Sequence, residues 1–128
     1  MSLDHIGLAV ADFAQAKAFY AAALAPLGYA LVMEFPAAEA GGAPAAGFGR
    51  GRADFWISGA GPTVPRLHIA FAADSREAVD AFYAAAMAVG GRDNGKPGLR
   101  PHYHPDYYGA FVLDPDGHNI EAVCRSPA

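Results

Sequence analysis

The sequence has a single cysteine and few charged residues, and each of these features excludes some classes of protein. Cys124 has no second thiol for an internal disulfide, and its apolar surroundings favour a simple filling role. Charged residues make up 17% of the chain, the net charge is −4 and no basic cluster occurs, so we expect no nucleic-acid partner. No apolar run approaches the ~18 residues of a membrane span and no signal-like segment precedes the first strand. We therefore expect a cytoplasmic protein with no membrane partner.

The remaining composition is that of a folded domain. Hydrophobic residues make up 53% of the 128 residues, which excludes a disordered chain and suits one domain with one core. A surface with so few charges is often partly covered by a second copy, so we also expect a homodimer.

The most informative pattern is a stretch that occurs twice. A His-Ile pair and a later Phe-Tyr pair both return after the same offset of 63 residues. The pairs are His5-Ile6 and His68-Ile69, and Phe19-Tyr20 and Phe82-Tyr83. A constant offset indicates a duplicated unit, and two copies are too few for a solenoid, which needs at least ~3. We predict one domain, residues 1–128, made of a first module at residues 1–60 and a second at residues 66–126.

Each module is predicted to run β-α-β-β-β. Alternating hydrophobicity predicts the first strand of each module, and capping residues mark the helices, Asp12 in module one and either Asp74 or Ser75 in module two. The turn at residues 114–117 suits an antiparallel hairpin. Residues 37–47 are predicted to form a mobile surface loop. The predicted strands are residues 3–10, 29–35, 48–50 and 54–58, then residues 67–73, one short strand within the loop at 92–106, and residues 107–113 and 119–124.

The alternation puts polar side chains where a cavity floor would lie. Because successive side chains of a strand point to opposite faces, His5 and His68 each share a face with only glycine or alanine. In the last strand, Glu121 lies on the face opposite the apolar residues. These three polar groups are the main candidates for a site.

At these residues the chain resembles the vicinal oxygen chelate superfamily, which includes glyoxalase I, extradiol dioxygenases, fosfomycin-resistance thiol transferases and bleomycin-binding proteins. The resemblance implies an α+β fold in which two tandem βαβββ modules form a curled mixed sheet around a cleft. It also implies that His5, His68 and Glu121 bind one divalent metal ion there. The matching motifs span nearly the whole chain and are Leu3-Asp4-His5-Ile6, Arg66-Leu67-His68-Ile69, Asp114-Pro115-Asp116-Gly117 and Ile120-Glu121.

The chemistry of these donors agrees with what the resemblance implies. Imidazole nitrogen and carboxylate oxygen suit Zn, Mn, Fe, Co or Ni, and two histidines with one carboxylate leave coordination positions open. Such an ion can hold two adjacent oxygens of a small-molecule substrate and act as a Lewis acid. The implied enzyme is a lyase, isomerase, dioxygenase or thiol transferase. Glyoxalase I has a fourth ligand, a glutamate that aligns best with Trp56, and an indole cannot replace it.

Further catalytic candidates and other functions remain open. Besides Glu121, the sequence suggests His104, which lies with His102 on a loop over the cleft or in solvent. Tyr107 and Tyr108 are neighbours in a strand, so one faces the cleft and the other the core, and the cleft-facing phenol could donate to a substrate oxygen. The alternative function is a metal-free drug-binding protein of the bleomycin-resistance type. A domain whose metal site is vestigial is a third possibility.

Overall fold

The computed structural model describes residues 3–128, and this part of the chain folds as two βαβββ modules, as the repeat predicts. The elements in chain order are β1 (Ile6–Ala9), α1 (Phe13–Leu24), a 3₁₀ turn (Ala25–Leu27), β2 (Ala30–Phe35), β3 (Ala45–Arg50), β4 (Arg52–Ser58), β5 (His68–Ala72), α2 (Arg76–Ala88), β6 (Arg92–Leu99), β7 (Tyr108–Leu113) and β8 (Asn119–Cys124).

Each module forms its own four-stranded mixed sheet. The strand order is β1-β4-β3-β2 in the first sheet and β5-β8-β7-β6 in the second, so corresponding strands occupy corresponding places. In both sheets the first strand runs parallel to the last strand of the module, and the remaining pairs are antiparallel. The α+β prediction is confirmed, with two sheets that remain open.

Side-chain caps start both helices. The Asp12 carboxylate accepts a hydrogen bond from the backbone N–H of Gln15 at 3.0 Å and so satisfies a donor that the helix leaves free. For α2 the cap is Ser75, whose hydroxyl accepts from the N–H of Ala78 at 3.1 Å. Gly28, with φ of 84°, takes the left-handed conformation that ends the first helical segment.

The helices and one face of each sheet form a common core. Helix α1 packs on the first sheet, α2 packs on the second, and the two helices also pack on each other. Phe55 and Phe71 meet edge to face across the modules with ring centroids 5.3 Å apart. The face of each sheet that no helix covers is called its open face below. In residues 3–128, no helix combines the length and apolar character needed to cross a membrane.

Several predicted segments differ from the structure at their ends, and β4 begins at Arg52 where the prediction began at residue 54. The first strand was predicted over residues 3–10, but β1 covers only Ile6–Ala9. Asp4 instead bonds to His5 and accepts from Arg52, and neither Asp4 nor His5 pairs in the ladder with β4. The loop predicted at residues 37–47 ends earlier in the structure, because Ala45 already begins β3 and pairs with Ser58.

The segment predicted to hold one short strand contains a long one. β6 covers eight residues despite Gly95, Pro97 and Gly98. It lies at the edge of the second sheet, where a proline that donates no hydrogen bond is tolerated, and its register shifts on either side of Gly95. Sequence rules that penalise Gly and Pro therefore missed an irregular edge strand.

Candidate metal and substrate site

The second module brings three of the predicted site residues together. His68, the first residue of β5, places its Nε2 2.7 Å from Oε1 of Glu121 in β8. Tyr107, just before β7, donates its hydroxyl to Oε2 of the same carboxylate. The side chain of Glu121 is only 1% exposed, whereas that of His68 is 54% exposed. The buried carboxylate therefore contacts a histidine that solvent and ligands can reach.

The surroundings of Tyr107 hold its phenol in place. A Cβ at Gly109 would lie 3.1 Å from Cε1 of Tyr107 and 3.4 Å from Oε2 of Glu121, so a glycine gives these groups room to meet. The Arg125 guanidinium lies 4.9 Å from the ring centroid, within range of a cation–π interaction. Burial, reinforced by the hydrogen bond to Glu121, raises the pKa of Tyr107 to about 12, so its hydroxyl keeps its proton and donates at neutral pH.

Sequence reasoning did not single out Gly109 or Arg125. Gly109 carries no functional group, and its importance lies only in the Cβ that it lacks. Arg125 follows the last strand and reaches Tyr107 only because the β7–β8 hairpin places the two residues side by side. No local sequence signal could have revealed either contact.

His5 lies on the other module and is not joined to this group. It is exposed, one residue before β1, and its Nδ1 is 2.8 Å from Oδ1 of Asp4. That hydrogen bond, followed by the one from Arg52, lowers the pKa of Asp4. His5 and His68 both border a cavity of about 290 Å³ between residues 3–6 and 68–72. Yet within residues 3–128 no three His, Cys, Asp or Glu side chains are arranged to hold a metal ion.

Two further candidates bond elsewhere and do not contact the His68–Glu121 pair through hydrogen bonds. Tyr108 points to the helix side of its sheet, where its hydroxyl donates to Oδ1 of Asp80 at 2.7 Å. Tyr107 is thus the member of the pair on the site side. His104 is exposed in the turn before β7, and its Nδ1 accepts from the backbone N–H of Asp106 at 3.1 Å. This hydrogen bond joins its Nδ1 to the loop.

The open face of the first sheet carries a cavity beside His5. This cavity has a volume of about 600 Å³. Trp56, in β4, is its largest lining side chain and stacks on Phe35 with ring centroids 6.0 Å apart and an interplanar angle of 11°. The other lining residues are Asp4, His5, Gly7, Met33, Arg52 and Ala53.

Comparison with known families agrees with the fold. Residues 2–122 match the Glyoxalase/Bleomycin resistance protein/Dioxygenase superfamily. The chain therefore belongs to this superfamily, the class of two-module proteins that its repeat and strand order define. No curated protein is significantly similar to the chain.

Solved structures include relatives of several kinds. A glyoxalase/bleomycin resistance protein from Albidiferax ferrireducens T118 is 30% identical, with 94% of this chain and 97% of that chain covered and a TM-score of 0.77. A lactoylglutathione lyase from Agrobacterium tumefaciens is 20% identical, with 96% and 92% covered and a TM-score of 0.67. Glyoxalase I from Zea mays is 20% identical, with 95% of this chain and 45% of that chain covered and a TM-score of 0.71. The last two share the fold.

Proposed function

We propose that the protein is a divalent-metal-dependent enzyme that acts on a small substrate through two adjacent oxygens, as a lyase, isomerase, dioxygenase or thiol transferase. The observation that carries this proposal is the pairing of His68 Nε2 with Glu121 Oε1 at 2.7 Å. Both donors suit the transition metals that this superfamily uses, and a buried carboxylate on a face of small residues needs a compensating partner.

The donor pair fits part of a metal site. His68 Nε2 and Glu121 Oε1 are 2.7 Å apart, so the two residues would hold one ion together. A metal ion would take the place of the proton that these two atoms share. When bound, it would polarise the two substrate oxygens and stabilise negative charge that develops on them.

The protein's own residues then have distinct tasks. Tyr107 donates to Oε2 of Glu121, which fixes the carboxylate plane and leaves Oε1 free for the metal. His68 supplies nitrogen from the rim of the site, where it is accessible to substrate. His5 supplies the third donor, and Asp4 at 2.8 Å from its Nδ1 orients the ring so that Nε2 is the free nitrogen.

We further propose that the site is completed between two copies of the chain. Within one chain the two modules meet through their helices and through the Phe55–Phe71 contact, and His5 does not join His68 and Glu121 in a three-donor group. A homodimer can place His5 of one copy beside His68 and Glu121 of its partner, and the twofold operation then makes two equal sites. This arrangement accounts for a ligand pair and a separate histidine within a single chain.

The test is metal content after purification without chelator or nickel affinity resin. We expect the parent protein to retain a divalent ion, His68→Ala and His5→Ala to lose it, and Glu121→Gln to bind it at least tenfold more weakly, because a neutral amide replaces a charged ligand. Glu39→Gln, at an exposed loop position, is the matched control and should bind as the parent does.

The metal-free drug-binding alternative has one observation in its favour, the lack of a three-donor group within residues 3–128 of one chain. A binding protein would need the cavity beside Trp56 but not the histidines. If the parent protein binds no divalent ion at neutral pH, or if all three ligand variants bind it like the parent, the enzyme proposal fails and this alternative replaces it.

A further inference from the structure

The residue that precedes His68 is held by the end of the β7–β8 turn. The backbone N–H of Leu67 donates to Nδ1 of His118 at 2.9 Å, and the Leu67 carbonyl accepts from the N–H of Asn119 at 2.9 Å. The pairing of β5 with β8 begins at His68 and Asn119, so the N–H of Leu67 lies beyond the ladder. The imidazole of His118 therefore supplies an acceptor that the sheet does not.

The turn places this imidazole inside the second module. His118 is fully buried, and its backbone N–H donates to Oδ1 of Asp114 at 2.9 Å. The preceding Gly117 has φ of 85°, and a Cβ there would lie 2.9 Å from Nε of Arg66. A glycine is therefore required both by the left-handed backbone and by the close approach of the chain that leads into β5.

The other end of the same ring makes no hydrogen bond. An imidazole that accepts at Nδ1 is neutral and carries its proton on Nε2. In His118 this Nε2 is buried and has no partner within residues 3–128. Because a buried donor without an acceptor is destabilising, an apolar side chain would suit the packing at this position better. Stability alone therefore does not explain the histidine, whereas the bond that its Nδ1 accepts does.

The first module shows the same place without such an acceptor. In the register that pairs the first strand of each module with the last, Ala53 takes the position of His118. A methyl group cannot accept a hydrogen bond. Correspondingly, His5 lies one residue before β1, whereas His68 is the first residue of β5. The two histidines that the repeat equates therefore differ in whether the strand next to them is held up to the histidine itself.

We infer that His118 is a positioning residue, which holds His68 in place through the backbone of Leu67. His68 begins a strand at the edge of its sheet, and the ends of such elements open easily. The bond to His118 closes this end and keeps Nε2 of His68 at 2.7 Å from Oε1 of Glu121. This role rests on the proposed function only insofar as the positioned ring binds a metal ion.

Two substitutions separate the acceptor of His118 from its volume. His118→Asn puts an amide oxygen at the place of Nδ1, whereas His118→Leu puts there a methyl group that cannot accept. The first readout is the magnetic resonance spectrum of metal-free protein with isotope-labelled histidines, in which His68→Ala assigns the His68 ring. We expect the His68 signals of the Asn variant to match the parent and those of the Leu variant to move toward free, solvated imidazole. Ile57→Val, a mild change in the buried core of the first module, is the control and should leave them unchanged.

Zinc affinity, measured by competition with a chromophoric chelator, gives the second readout. We expect His118→Leu to bind zinc about tenfold more weakly than the parent, because a ligand that is no longer oriented binds less well. His118→Asn and Ile57→Val should bind zinc like the parent. His118→Ala removes the acceptor by truncation and takes the place of His118→Leu if the leucine variant does not fold.

The outcomes separate the positioning role from the metal site. If the His68 signals of His118→Leu match the parent, or if the parent and this variant bind zinc equally, the positioning role is overturned and the proposed function stands. If the signals move as expected but the parent binds no zinc, His118 still positions His68 and the proposed function fails. If His118→Asn folds but neither His118→Leu nor His118→Ala does, His118 serves folding and the positioning role is overturned.

Discussion

Glu121 is a buried carboxylate whose two oxygens are both engaged, Oε1 by His68 and Oε2 by Tyr107. The sequence alone predicted that His68 and Glu121 each lie on the small-residue face of their own strands, because side-chain direction alternates with a period of two. It did not predict which of two adjacent tyrosines meets Glu121. That choice depends on how β7 begins and on the room left by Gly109, which are tertiary features.

The first prediction concerns Tyr107. Tyr107→Phe removes one hydrogen bond from a buried carboxylate, and we expect a loss of about 1–3 kcal/mol in unfolding free energy. Tyr108→Phe is the matched control, since its hydroxyl bonds to Asp80 near the surface, and it should cost less than about 1 kcal/mol. Urea denaturation of both variants measures the difference. Equal losses would contradict the special role of Tyr107.

The second prediction concerns the dependence of metal binding on pH. Imidazole and carboxylate groups bind a metal ion only in their deprotonated forms, so lowering the pH should release the ion from this site. Titration of the metal-loaded protein with acid, followed by metal analysis, should show loss of the ion before any loss of the far-ultraviolet dichroism of the fold. Release that coincides with unfolding at every pH would count against these ligands.

At the scale of elements, the repeat predicted the helices and most strands. It could not predict how the two modules pack on each other. Local patterns set where α1 and α2 begin, through Asp12 and Ser75. They do not predict that α1 and α2 pack on each other. Apolar side chains make this contact, and the same side chains could pack equally well on other elements. The position of His5 relative to Glu121 follows from that packing, so the sequence could not determine it.

A buried polar contact joins the modules and gives the third prediction. Tyr20 on α1 donates its hydroxyl to Asp114 in the β7–β8 turn, and Asp114 also accepts from the N–H groups of Asp116 and His118. Tyr20→Phe leaves a buried carboxylate oxygen without its donor. We expect a cost of about 1–3 kcal/mol at neutral pH, measured by urea denaturation.

The same variant should change the response to alkali. Burial, with the nearby Asp114 carboxylate, raises the pKa of Tyr20 well above its ordinary value of 10.0. The unfolded chain therefore ionises first, and the stability that the neutral phenol contributes is present below pH 10 and is lost as the pH rises above it. Tyr20→Phe should lessen this alkaline decline. An unchanged decline would show that Tyr20 does not cause it.

At the scale of the whole molecule, the chain is a member of the glyoxalase superfamily with two similar modules and unequal open faces. One face carries His68, Glu121 and Tyr107, and the other carries His5 and Trp56. A twofold dimer that pairs unlike faces would form two complete clefts, each with three metal ligands.

The most direct test of this account is the metal content of a mixed dimer. Chains carrying His5→Ala and chains carrying Glu121→Gln are co-expressed with two different peptide tags that bind no metal, and dimers with both tags are isolated. One cleft of the mixed dimer has both substitutions and the other has none. We predict one tightly bound divalent ion per mixed dimer, two per parent dimer, and none held as tightly by either variant alone. A mixed dimer that binds no ion, beside a parent that binds two, would contradict a site shared between copies.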